Sequence, residues 1–345
     1  MRLSRVSEAS YIVYPDDTVN PSIYYVEDGR TGQIKYSSSD ASDVIQYAVD
    51  RGTRVFLRSG VYRISRSIKL WSNSYIEGEN ASWFVRDIGN ASGPGSLGVT
   101  LKITDTSVKH VFFASDPDKS FGNIVLKNLA VDGGGLVRFG NSGEEWGVTP
   151  ALIEFIHCSA WNLYPSGTDI YCLDIWHSLH IYARHIHSNG MPVLRFATDF
   201  KNKGWGFGNS VFEELFSNGV PGDVPNFHIL SAGDPNKTGV GLLVFIRPQT
   251  LGSGKGFVLD GESSGIRDVT VIGGNFENTP GLVLRGIVSN VYADLHYPWG
   301  VRLCKNTAGK TPPLPVGNYR LEYDGGKIKI YESDCVTDAG ARVDP

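Results

Sequence analysis

Long hydrophobic runs are missing from this chain, and its apolar stretches, such as Gly241–Ile246, are far too short to span a bilayer. No run of Lys or Arg stands out, and the net charge is −4. That balance argues against a nucleic-acid partner and against a polybasic membrane patch. Residues 1–10 carry two arginines but no apolar core, so no secretory signal peptide is read there. Cysteine is scarce. Cys158, Cys172, Cys304 and Cys335 form no CxxC pair, which leaves zinc without a ligand pattern. Cys158–Cys172 and Cys304–Cys335 are open as disulfides, beside the plainer reading as buried free thiols. No phosphate loop, dinucleotide fingerprint or nucleophile elbow occurs. Methionine is nearly absent, with 2 in 345 residues, whereas glycine reaches 41. Many tight corners and few flexible core fillers fit an all-β chain rich in turns.

One helix is predicted. Ser39 or Asp40 can cap it, Val44, Ile45, Ala48 and Val49 share a face, and Gly52 is read as its C′ glycine. Short alternating strands follow, among them Arg54–Leu57, Val61–Ile64 and Ser74–Gly78. Later segments repeat. His177–Arg195 can be laid on Arg267–Arg285 without a gap at an offset of 90, matching Ile181 to Val271 and Leu194 to Leu284. Ser289–Leu303 repeats the scheme 22 residues after Arg267, and Phe257-Val-Leu, Leu282-Val-Leu and Val301-Arg-Leu recur at steps of 25 and 19. A loose period near 22 with β-type alternation and glycine corners predicts an all-β, right-handed parallel β-helix, a solenoid of stacked coils. Roughly ten coils would make a rod about 50 Å long. The expected organisation is an N-terminal β segment over 1–39, a capping helix over 40–52, the solenoid over 53–310 and a C-terminal hairpin cap over 311–345.

Asp40–Asp50, then Val55–Ile64, then Ile68–Glu79 resemble the capping helix and first two coils of the pectate-lyase-like (pectin-lyase) superfamily. That superfamily includes polysaccharide lyases, polygalacturonases and viral tailspikes. The resemblance implies a polysaccharide partner lying along the outer face of the rod. It also implies an extracellular or virion-associated place. The Asn-Thr-Asp, Asp-Asp and Gly-His-Gly segments of polygalacturonases are absent, and Arg247-Pro248 is a weak echo of the pectate-lyase arginine motif, so the chemistry stays open.

Hydrolysis needs two flanking carboxylates, and elimination needs a base and a positive charge. Asp174, His177, His185 and His187 form the densest titratable cluster, with Trp176 and Tyr182 interleaved. Alternation puts His185 and His187 on one side, opposite Ile186. The offset of 90 gives Glu277 the repeat position of His187, with Asp294 and His296 in the next coil. Asp174, His185, His187 and Glu277 are therefore the expected catalytic groups, and Trp176, Tyr182, Arg247, Asp294 and His296 the expected sugar contacts. A plain row of solvated side chains competes with that reading. Loops at 140–150, 200–208 and 219–225 and the rings of Trp146, Trp161, Trp205 and Trp299 are expected to wall a cleft. Asp260-Gly-Glu262 with Arg267 and Asp268 could hold Ca²⁺, although a simple turn explains it as well; no other cofactor is implied. Two functions follow: a glycan-cleaving enzyme acting on the lateral face, or a non-catalytic spike or adhesin, for which a homotrimer is expected.

Overall fold

The computed structural model describes residues 9–20, 22–80, 98–115, 122–143, 147–159, 170–199, 206–220, 224–234, 239–252, 255–277, 281–296 and 301–304, with the strand segments 323–324, 327–333 and 340–342. They form a parallel β-helix, each coil carrying three strand-bearing faces. Stacking is in register over many coils. On the first face Val55, Ile76, Leu126, Ile153, Ala183, Phe212 and Phe245 succeed one another, and all are buried. On the third face Phe112, Val137, Leu173, Leu194, Phe227 and Phe257 do the same. Strand alternation explains this, because side chains of one parity all point inward and meet their own kind on the next coil. Phe212 stacks on Phe245 at 4.9 Å and Phe227 on Phe257 at 5.2 Å. Each such contact adds about 0.5–1.5 kcal/mol beyond burial.

The first corner of the coil is turned by residues in the left-handed region. Asn128, Phe155, His185, Glu214 and Arg247 occupy it on successive coils with φ between 51° and 54°. Gly273 follows at φ 64°. Such a conformation is costly for side-chain-bearing residues, so the stacked neighbours must hold it.

The predicted helix spans Ala41–Arg51 and is called α1. Asp40 caps it by accepting from the Ser42 amide at 2.8 Å. Its buried face includes Val44, Ile45, Ala48 and Val49, and it packs against Ile23–Asp28, Ile34–Ser38 and Gly60–Ile64. The role of Gly52 differs from the expectation. Its backbone is extended, at φ −133°, so no left-handed cap is made. Glycine is needed there because a Cβ would fall 2.6 Å from the Tyr11 ring. Tyr11–Asp16, in turn, pairs in parallel with Arg54–Leu57 and so adds a strand to the first face.

The repeat register also needs correction. Leu194 is aligned through Phe227 and Phe257 with Leu282, an offset of 88 rather than 90. Strands have a side-chain period of two, so a slip of two keeps every inward residue inward and the wrong register still matches. The steps from Phe257 to Leu282 to Val301 and from Arg267 to Ser289 agree with the pairing found. Beyond Val301–Cys304 the third face continues with Lys327–Ser333, which also forms a hairpin with Tyr323–Asp324.

Candidate functional site

On the third face, each strand carries an outward residue between two inward ones. Register places Arg138, Asp174, Arg195 and His228 on one outward line. Asp174 is fully buried beneath its neighbours. Arg195 grips it with a two-pronged fork, Nε to Oδ1 and Nη2 to Oδ2 both at 2.8 Å. Trp176 Nε1 donates to Oδ1 at 2.9 Å, and Arg138 Nε lies 3.8 Å from Oδ2. Burial by itself would raise this carboxyl, but the hydrogen bonds and charge of Arg195 hold it below the ordinary carboxylate range. The Arg195 guanidinium lies 4.8 Å from the Tyr171 ring centre and 5.1 Å from that of Trp176. Carboxylate and rings together fix a cation that is nearly buried.

A cleft of about 800 Å³ opens over this line. Its described lining includes Lys109, Arg138, Arg195, Trp176, Tyr171 and His228, and no carboxylate. His110 lines it too, with Nε2 at 3.0 Å from the Tyr171 carbonyl, and burial pushes its ring down to about 4. His228 sits between two partners: Nδ1 lies 3.4 Å from Tyr171 Oη and Nε2 lies 3.9 Å from Asp260. At the rim, Asp199 latches the turn at Ser142. It accepts from the Ser142 hydroxyl, from the Gly143 amide at 2.9 Å and lies 3.1 Å from His177 Nε2. Burial would raise Asp199, but these donors, His177 foremost, draw it down to about 2.

The structure divides the titratable cluster expected from sequence. Asp174 and Trp176 belong to the cleft on the third face, while His177 is buried beside the latch. His185 and His187 do not share a side. His185 turns the first corner, so the strict alternation that would align the two rings is broken between them. The His185 ring stacks on Phe155 at 4.7 Å, with Nδ1 2.5 Å from Glu214. His187 lies on the second face, packed 4.5 Å from both His157 and Phe216. Buried nitrogens of the two histidines, His157 Nδ1 and His187 Nε2, have no hydrogen-bond partner. Burial lowers His157 to about 3 and His187 to about 4.

Glu277 does not hold the repeat position of His187. That line runs through Phe216 and Gln249 to Asn275, then to the backbone of His296, and Glu277 is exposed two residues further on. The side chain of His296 lies outside the described residues, and Asp294 is half-buried. Tyr182 donates to Glu213 at 3.1 Å on the first face. Arg247 bridges Glu213 at 3.3 Å and Glu214 at 2.5 Å. Asp260 and Glu262 both face Arg285, at 3.0 and 3.6 Å, and Asp268 accepts from Asn290. Trp146, Trp161, Trp205 and Trp299 lie outside the described residues, as do the middles of the three loops.

Sequence reasoning missed Lys109, His110, Arg138, Tyr171, Arg195 and His228. A signal for the central line existed. Val137-Arg-Phe139, Leu173-Asp-Ile175, Leu194-Arg-Phe196 and Phe227-His-Ile229 extend backward the same apolar–X–apolar triplet recognised at Phe257, Leu282 and Val301.

No family model matches the chain, and no curated protein matches it. Among solved structures it is similar to the Dettilon tailspike protein (gp208), at 10% identity and a TM-score of 0.25 over 84% of this chain. It is also similar to the N-terminal fragment of bacteriophage phi29 gene product 12, at 12% identity and a TM-score of 0.24 over 88% of this chain and 71% of that one. The chain spans 57% of the length of the Dettilon protein. Superpositions this loose carry no argument about activity.

Proposed function

We propose that this chain is a glycan-binding rod, part of a virion-associated spike, and that an acidic polysaccharide lies in the cleft of its third face. The observation that carries the reading is the cleft lining, with the cations Lys109, Arg138 and Arg195, the Trp176 ring and no described carboxylate. Fixed cations recognise sugar carboxylates, and an indole supplies a face for a pyranose ring. Binding is preferred to hydrolysis because Asp174 is buried and already engaged by Arg195 and Trp176, which leaves it poorly placed as an acid or nucleophile. Elimination is the second reading, supported by His228 lying between Tyr171 and Asp260 near the arginines. The resemblance of Asp40–Glu79 to pectate-lyase-like proteins supports a carbohydrate partner, and a homotrimer is the expected assembly for a spike.

Co-sedimentation of the full chain with acidic and neutral polysaccharides tests the main reading. Retention by acidic chains alone, weakening with salt, is the expected result. Equal retention by neutral chains, or none by any acidic chain, overturns it. Ultraviolet absorbance from newly formed unsaturated uronates in the same mixtures would establish elimination. Light scattering reports the assembly, and a monomer would count against the trimer.

A further inference from the structure

Cys158 lies near the end of Ala151–Ser159 on the second face, and Cys172 immediately precedes Leu173–Trp176 on the third. Both side chains are fully buried, and their sulfurs are 2.6 Å apart. Unbonded heavy atoms rest about 3.5–4.0 Å apart, and a disulfide holds its sulfurs at about 2.05 Å. The two free thiols stand between these spacings, within reach of a bond. No apolar rule of the coil requires sulfur here. The same inward line carries Val131 on the coil before, and Ser188 and Ser217 on the coils after.

We propose that Cys158 and Cys172 form an intrachain disulfide that staples the second face to the third. A thiolate of one cysteine attacks a small-molecule disulfide such as oxidised glutathione and expels one thiolate from it. The second cysteine then displaces the remaining glutathione sulfur. The two protein thiols lose two protons and two electrons, and the small disulfide is reduced to two thiols. Burial, then the neighbouring thiol, pushes the Cys158 thiol well up, so the folded core disfavours the reactive thiolate. The bond accordingly forms before the coil closes and is shielded from reductant afterwards. It lies beside Tyr171 and two residues before Asp174, so it anchors the strand that builds the cleft.

Peptide mass decides the matter, because both cysteines fall in one tryptic peptide running from Phe139 to Arg184. The full chain is refolded with oxidised glutathione, denatured in iodoacetamide without reductant and digested. The expected peptide carries no alkyl group on either cysteine and is two hydrogens lighter than the dithiol. Reduction before alkylation should add two alkyl groups. Two alkyl groups without reductant, or glutathione retained on either cysteine, overturns the proposal. A second measurement uses the Cys158→Ser/Cys172→Ser variant, whose serines have precedents at Ser188 and Ser217. Its thermal midpoint should fall roughly 5 °C below that of the oxidised parent and match the reduced parent. Equal midpoints for oxidised parent and variant would also overturn it.

Discussion

Along the first face the charged line alternates in sign, whereas along the third face two arginines converge on one carboxylate. Lys127 lies 2.7 Å from Glu154, Glu154 also pairs with Arg184, and Glu213 meets Arg247 at 3.3 Å. A cleft of about 330 Å³ on that face is lined by Arg54, Lys127 and Arg184 against Glu77 and Glu154, nearly balanced in charge. On the third face Asp174 is fully buried and leaves Arg138, with Lys109 nearby, facing a cleft without a described carboxylate. Stacking at one strand spacing creates both arrangements. The difference lies in number: on the third face the single buried acid Asp174 answers Arg138, Arg195 and the nearby Lys109, so the row presents net positive charge, whereas on the first face Glu77 and Glu154 answer three cations and nearly neutralise them.

The largest effect that could break this comparison is expected at Asp174. Asp174→Asn would leave the nearly buried Arg195 without its counter-ion and should cost about 3–5 kcal/mol in chemical denaturation. A cost below about 1 kcal/mol would mean that the buried carboxylate does not organise the face.

Acid should act next. His110 and His157 have folded-state values of about 4 and about 3, below the 6.5 of an ordinary imidazole. Between those limits the unfolded chain binds more protons, so their stabilising contribution is complete above the unfolded value and is lost as pH falls towards the folded one. Each ring should remove on the order of 2 kcal/mol by about pH 5. Denaturant midpoints measured against pH check this, and His157→Gln should flatten the slope.

Arg138→Ala sharpens the contrast through binding. Affinity for an acidic polysaccharide should fall about tenfold, while unfolding changes by about 0.5 kcal/mol or less. Arg184→Ala on the first face should leave that affinity unchanged in the same titration. The smallest effect is expected for Glu154→Gln, at about 1 kcal/mol, because Lys127 and Arg184 keep access to water. A loss matching that of Asp174→Asn would erase the distinction between the faces.

The solenoid and α1 were legible because both leave local patterns: an amphipathic run after Asp40 and apolar triplets between corners. Register was less legible. A two-residue slip preserves which side chains point inward, so the match of Leu194 to Leu284 looks as sound as the pairing found, and only hydrogen bonding selects Leu282. The cleft was harder still. Arg138, Asp174 and Arg195 are 36 and 21 residues apart in sequence, because the intervening turns differ in length. His185 misled for another reason: a histidine in a left-handed corner ends the alternation that its neighbours obey.

The in-register rows, continuing from Val301–Cys304 to Lys327–Ser333, also set how the rod responds to force. Tension along the rod axis at its C-terminal end would load the hydrogen bonds of one coil at a time and peel the coils in sequence. Tension along the strands would instead shear many bonds of a row together. A tether on the third face should therefore withstand a sideways drag far better than an axial pull on the last coil.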